Sequence, residues 1–276
     1  MQFINTCIFC DNKSPSKEHI FPQWLKKIIR EKVPTEFNRN LLINDGFNKR
    51  LQVFKKSANN PILSTQTKKV CKPCNNQWLS NFESSVIPIF TKLSKNQQSV
   101  ELTIEDQARL SMWAALLSIK WDLTDTNTSG HTNSDIKFIY NHRTLPTSFR
   151  VWVGYSKDDG IQAFHKTMIL GKKNEAPPTA PNLRSTGLQL GTITLYILSH
   201  EDNVYSELEQ ANHYNQRLVQ IWPTNANVFL DRSKMKENDD PDLKITTLFF
   251  GMQDDFKFKS RMLQAFPELI QTLYLE

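Results

Sequence analysis

What this chain lacks narrows its function before any motif is considered. Its 276 residues contain no run of 18 apolar side chains, so the sequence offers no membrane-spanning helix. The opening Met1-Gln2-Phe3-Ile4-Asn5-Thr6 has neither the basic nor the apolar region of a secretory leader, and a cytoplasmic location is expected. No Gly-x-x-x-x-Gly-Lys loop or Gly-x-Gly-x-x-Gly turn is present to cradle phosphates. A Gly-x-Ser-x-Gly nucleophile elbow is missing, and so is the His-x-x-x-His spacing of zinc proteases. His131, His142, His165, His200 and His213 are scattered and read as surface or braced side chains. Cysteine is scarce, with only four in the chain.

Those four stand in two pairs, Cys7-Ile8-Phe9-Cys10 and Cys71-Lys72-Pro73-Cys74. A Cys-x-x-Cys pair puts two sulfurs on one tight turn, where both reach a single ion at ~2.3 Å. Thiols in a reducing compartment favour metal over disulfides. The expectation is one closed, structural zinc site made by the four thiolates of Cys7, Cys10, Cys71 and Cys74, with the long segment between the pairs looped out. One knuckle on a hairpin and one opening a helix is the pattern of a treble clef.

Charge is unevenly placed. Residues 1–100 hold 16 Lys/Arg against 6 Asp/Glu, a net of +10, while the whole chain carries +6. The cysteine-bearing part is therefore basic, as a surface meeting a polyanion would be. Apolar spacing predicts a helix over 24–30, with Lys26, Lys27 and Arg30 on its other face. A hairpin-like insertion spans 34–67, with an Asp45-Gly46 turn and a strand at 50–54. A helix follows Cys74 and ends or restarts at Pro88. Thr103-Ile104-Glu105-Asp106 starts another, with Leu110, Trp113, Ala114, Leu117 and Trp121 as its buried stripe. Residues 126–134 read as a loop. Strands are expected at 149–155, 161–170, 193–199 and 244–250, an exposed connection at 172–187, a loop at 231–242 and a closing helix at 260–275. The expected architecture is α+β, a small zinc-organised module over residues 1–98 and a larger α+β domain with a mostly antiparallel sheet over residues 99–276.

Cys-x-x-Cys, then Glu18-His19-Ile20, then Cys-x-x-Cys-Asn75 resembles the HNH endonucleases, a branch of the ββα-metal nucleases, over residues 7–90. Trp113-Ala114-Ala115, Phe149–Gly154 and Gln220-Ile221-Trp222-Pro223 resemble uncharacterised bacterial proteins with HNH-like modules. The resemblance implies a metal-dependent endonuclease that hydrolyses phosphodiester bonds, most simply of double-stranded DNA, and associates with defence against phage or with mobile elements. It implies that His19 is the general base that takes a proton from water. It implies that Glu18 and Asn75, or Asn76 in place of Asn75, bind a catalytic Mg²⁺ or Mn²⁺. The family's middle Asn, which orients the base, has no single counterpart here: Asn44, Asn48, Asn59, Asn60 or a backbone group takes that place. Lys17, Lys69 and Lys72 lie beside the motif, where they either hold phosphates or serve solubility. The alternative is a non-catalytic zinc-bound nucleic-acid adaptor. Residues 99–276 then position, recognise or regulate, and offer a surface to a protein partner or a second copy.

Overall fold

The computed structural model describes residues 6–13, 15–29, 37–44, 49–55, 62–95, 98–124, 130–157, 160–170, 181–200 and 218–235, and among these described residues there are three sheets and five α-helices. Strand β1 (Pro15–His19) pairs antiparallel with β4 (Gln66–Cys71). The ladder slips between Ser16 and Glu18, a bulge in β4 where Lys68 and Lys69 together stand opposite Lys17. Between the two strands come the short helix α1 (Leu25–Ile28) and the hairpin of β2 (Phe37–Asn44) and β3 (Lys49–Lys55). The helix predicted over 24–30 is thus a single turn; Ile29 is already extended. The Asp45-Gly46 turn lies outside the described residues.

From Cys71 the chain turns directly into helix. α2 (Lys72–Cys74) starts with Pro73 in its first turn, where a missing N–H costs nothing. A wide turn at Asn75–Leu79 leads into α3 (Ser80–Ser94). Pro88 lies inside α3 rather than ending it. Pro88 and Ser84 are both exposed, so the carbonyl deprived of its donor faces water, while Val86, Ile89, Phe90 and Leu93 keep the helix docked. After β5 (Ser99–Leu102), Thr103 caps α4 (Ile104–Asp122) through the expected reciprocal box with Asp106. From Leu110 to Asp122 every residue of α4 is buried. The expected single stripe is therefore a helix covered on all sides, polar Gln107, Ser111, Ser118, Lys120 and Asp122 included.

α5 (Asn133–His142) precedes β6 (Phe149–Tyr155), β7 (Ile161–Leu170), β8 (Leu183–Leu190), β9 (Ile193–His200), β10 (Leu218–Trp222) and β11 (Val228–Asp231). The large sheet has the order β10-β6-β9-β8-β7-β2-β3, antiparallel except where β2 runs parallel to β7. Strands from either side of residue 98 therefore share one sheet, and one hydrophobic core runs from Cys7 to Leu230. The rings of Trp24, Phe90 and Trp113 meet at 5.5 Å and tie α1, α3 and α4 together, while Phe21 stands edge-on to Trp121.

The predicted connection over 172–187 is corrected from Leu183 onward by β8, whose residues are buried throughout, while 172–180 lie outside the described residues. Its polar side chains disguise it in the sequence, yet partners meet them in the fold. Ser185 Oγ donates to Tyr196 Oη at 3.1 Å, and Thr186 Oγ1 lies 2.7 Å from His165 Nδ1 and 2.6 Å from Ser118 Oγ. β8 and β9 are joined by the two-residue turn Gly191-Thr192, where Gly191 takes φ +64. The candidate strand 244–250 and helix 260–275 lie outside the described residues.

The network around Thr186 continues to the end of α4. Asp122 Oδ1 pairs with His165 Nε2 at 2.9 Å, and Asp122 Oδ2 accepts the N–H groups of Gly130 and His131 at 2.8 and 2.9 Å. A Cβ at Gly130 would stand 2.6 Å from Thr167 Cγ2, so only glycine lets the backbone come this close. Burial alone would raise Asp122, but the hydrogen bond and charge of His165 override it and hold the carboxyl below its usual range. His131 is pushed down to about 3, first by burial and then by Arg184 and His165 against the pull of Asp122. Unfolded His131 takes a proton near pH ~6.5. The unfolded state thus binds more protons as pH falls below that value, and stability is lost from about pH 6.5 toward 3, at up to ~1.4 kcal/mol per pH unit for this group. Denaturant unfolding between pH 7.5 and 4.5 should show that slope, and His131→Gln should reduce it by about one proton.

Candidate functional site

The first knuckle is a closed turn. Cys7 donates its N–H to Asn12 O at 2.9 Å, Asp11 donates back to Cys7 O at 3.0 Å, and Asp11 takes φ 60. Ile8 N–H reaches Lys69 O at 2.9 Å, which fastens this turn to β4 just before the second knuckle. All four sulfurs lie within 4.8 Å of one another, with Cys10 and Cys71 Sγ 3.4 Å apart. A tetrahedron with ~2.3 Å bonds has edges of about 3.8 Å, so the set fits an ion such as zinc.

The electrostatics agree. Burial opposes ionisation of Cys7, yet the backbone N–H groups of Cys10, Cys71 and Phe9 win and lower it. Cys71 and Cys74 are raised, by burial first and then by neighbouring sulfurs. Four thiolates this close need a cation to coexist. α5 closes the cluster. Phe9 meets Trp78 edge-on at 4.9 Å and stacks on Tyr140 at 5.9 Å, while the Arg143 guanidinium sits 4.3 Å from the Trp78 ring and 4.5 Å from the Tyr140 ring. Lys137 Nζ donates to Phe9 O and pairs with Asp11.

β1 separates the two members of the Glu-His pair. Strand alternation sends Glu18 inward and leaves His19 half-buried on the outer face beside exposed Lys17. The cross-strand partner of His19 is Gln66, and the two side chains meet at 3.0 Å between their Nε2 atoms. Lys68 and Lys72 are exposed on β4 and α2, and Lys69 is half-buried. Asn75 is half-buried in the first turn after Cys74, with Asn76 exposed beside it.

Inside, the Glu18 carboxylate meets the ammonium of Lys120, at 3.3 Å, on α4. Lys120 Nζ also contacts His19 O at 3.2 Å and Glu83 Oε1 at 3.5 Å. Burial raises Glu83 above its ordinary value; Lys120 opposes this and Glu18 adds to it. Among the described residues, the four cysteines are the one group of three or more Cys, His, Asp or Glu whose ligand atoms lie close enough to share an ion. The described side chains therefore fit a sulfur-bound ion such as zinc, while the Glu18 carboxylate is engaged by the Lys120 ammonium.

Of the predicted site residues, the structure gathers the four cysteines and sets His19 on a basic face, while Glu18 points away from it. Sequence reading missed Gln66 and Lys120. Gln66 could have been found from the register of the two strands; Lys120 had no local signal, because the groups that meet it lie 37 to 102 positions away along the chain. No family model, curated protein or solved structure matches the chain. No described helix is long and apolar enough to cross a membrane.

The purified protein should carry one zinc per chain by metal analysis. Cys71→Ser should lose the metal and destabilise the fold by about 3 kcal/mol or more, because the knuckles form part of the continuous core.

Proposed function

We propose that this protein is a nucleic-acid phosphodiester hydrolase of the ββα-metal (HNH) type, with double-stranded DNA as its substrate class. One observation carries the reading: a half-exposed imidazole, His19, stands on a strand beside lysines and is held from the opposite strand by Gln66. The order of parts supports it, with a knuckle, β1, β4 and then a helix bearing the second knuckle.

His19 is the general base in this reading. With the Gln66 amide turned so that its oxygen accepts from Nε2–H, the lone pair rests on Nδ1, free to take the proton of an attacking water. Gln66 then does what the family's middle Asn does. Asn44 instead belongs to β2 in the large sheet, and Asn48, Asn59 and Asn60 lie outside the described residues. Lys17, Lys68 and Lys72 draw the phosphodiester to this face. A divalent ion supplies Lewis acidity in this enzyme class; the roles of His19, Gln66 and the lysines do not run through it.

A second reading has its own observation. The ammonium on Glu18 occupies the carboxylate that a catalytic ion would use, which favours a zinc-bound nucleic-acid adaptor without hydrolysis.

Plasmid nicking with Mg²⁺ or Mn²⁺ separates the two. Under the nuclease reading, His19→Ala lowers the rate by at least about 100-fold and Gln66→Leu by about 10-fold, with zinc content and melting temperature unchanged. Wild-type protein that binds DNA but leaves it intact with either metal overturns hydrolysis in favour of the adaptor.

A further inference from the structure

Lysine is almost never fully buried unless paired, and Lys120 is 1% exposed. Its ammonium has three N–H donors, and three oxygens meet it: Glu18 Oε1, the His19 carbonyl and Glu83 Oε1. Two of these belong to consecutive residues of β1, just past the point where β4 bulges opposite Lys17, and the third to α3. Desolvating an ammonium is costly, and an apolar side chain of the same length would fill the space without that cost. What the cation adds is direction. It ties a main-chain carbonyl and the adjoining side chain to one rigid helix, which stops β1 from turning about its own axis. Strand alternation then aims the next side chain, His19, outward at Gln66.

We propose that Lys120 is a positioning residue of the His19 site and that Glu18 serves as its counter-ion rather than as a metal ligand. α4, about 100 residues further along the chain than Glu18 and His19, thereby completes a site whose other parts come from β1 and β4. The catalytic consequence rests on the nuclease reading; the positional one does not.

The test uses full-length, zinc-loaded protein carrying Lys120→Met, Glu18→Gln or both. Each single change should lower the melting temperature by on the order of 10 °C, and the double change should recover most of it, because the two side chains act as a pair. Well below the melting transition, ¹⁵N NMR at fixed pH should show the His19 ring and Gln66 amide signals shifted or broadened in Lys120→Met. They should stay so in the double variant, which regains stability but not the tie to the His19 carbonyl. In cleavage, kcat should fall about 100-fold in both proteins with KM changed less than about threefold.

Wild-type His19 and Gln66 signals and kcat in folded Lys120→Met would overturn the proposal. So would Glu18→Gln that loses Mn²⁺ binding, read by electron paramagnetic resonance, with an unchanged melting temperature. If Lys120→Met does not fold, the double variant supplies the same readouts. If the wild type does not cut, the nuclease reading fails alone, and the thermal cycle and the NMR signals still decide the role of Lys120.

Discussion

A helix buried on every side can carry charge only where partners meet it on every side, and α4 is built to that constraint. Lys120 and Asp122 stand two residues apart, about 200° around the helix. One turns to β1 and α3, the other to β7 and the segment before α5. Each charge is neutralised by an element distant in sequence, so the helix can settle in only one place. Apolar packing would hold it tightly; the two charges also fix its rotation and its register.

The cysteine cluster acts in the same way on a smaller scale. Four sulfurs that repel one another as thiolates become a staple once an ion joins them, and that staple binds the first turn to the end of β4 and the start of α2. Four thiolates around a divalent ion still leave excess negative charge. Arg143 and Lys137 of the neighbouring helix region lie close to the knuckles, and the Tyr140 phenol is raised by burial first and by the nearby Cys74 and Cys10. The cover over the cysteine cluster thus comes from α5 and its C-cap, and the cation under the His19 strand from α4, both far along the chain from the first knuckle and β1. Neither the metal end nor the histidine end of the hairpin is built from local sequence alone.

This interlock sets how the outer face of β1 works. His19, Gln66, Lys17 and Lys68 lie on a two-stranded ladder too small to hold its own shape. Its rigidity is borrowed from the cysteine staple at one end and from Lys120 underneath. Binding a polyanion requires only the exposed lysines, whereas moving a proton requires the imidazole to be aimed.

Local pattern alone determined a good deal. The two Cys-x-x-Cys turns, the Thr103 cap, the helix after Cys74 and the strands at 149–155 and 161–170 follow from spacing and side-chain type, because each is decided by residues a few positions apart. Tertiary structure decided the rest. It turned Glu18 inward, matched His19 to Gln66, and laid β2 parallel to β7. It also made a core strand of the polar segment at 183–190 by supplying Tyr196, His165 and Ser118. A buried polar or charged side chain takes its meaning from the partner that meets it, and for Lys120 the carboxylate of Glu18 lies 102 positions away along the chain.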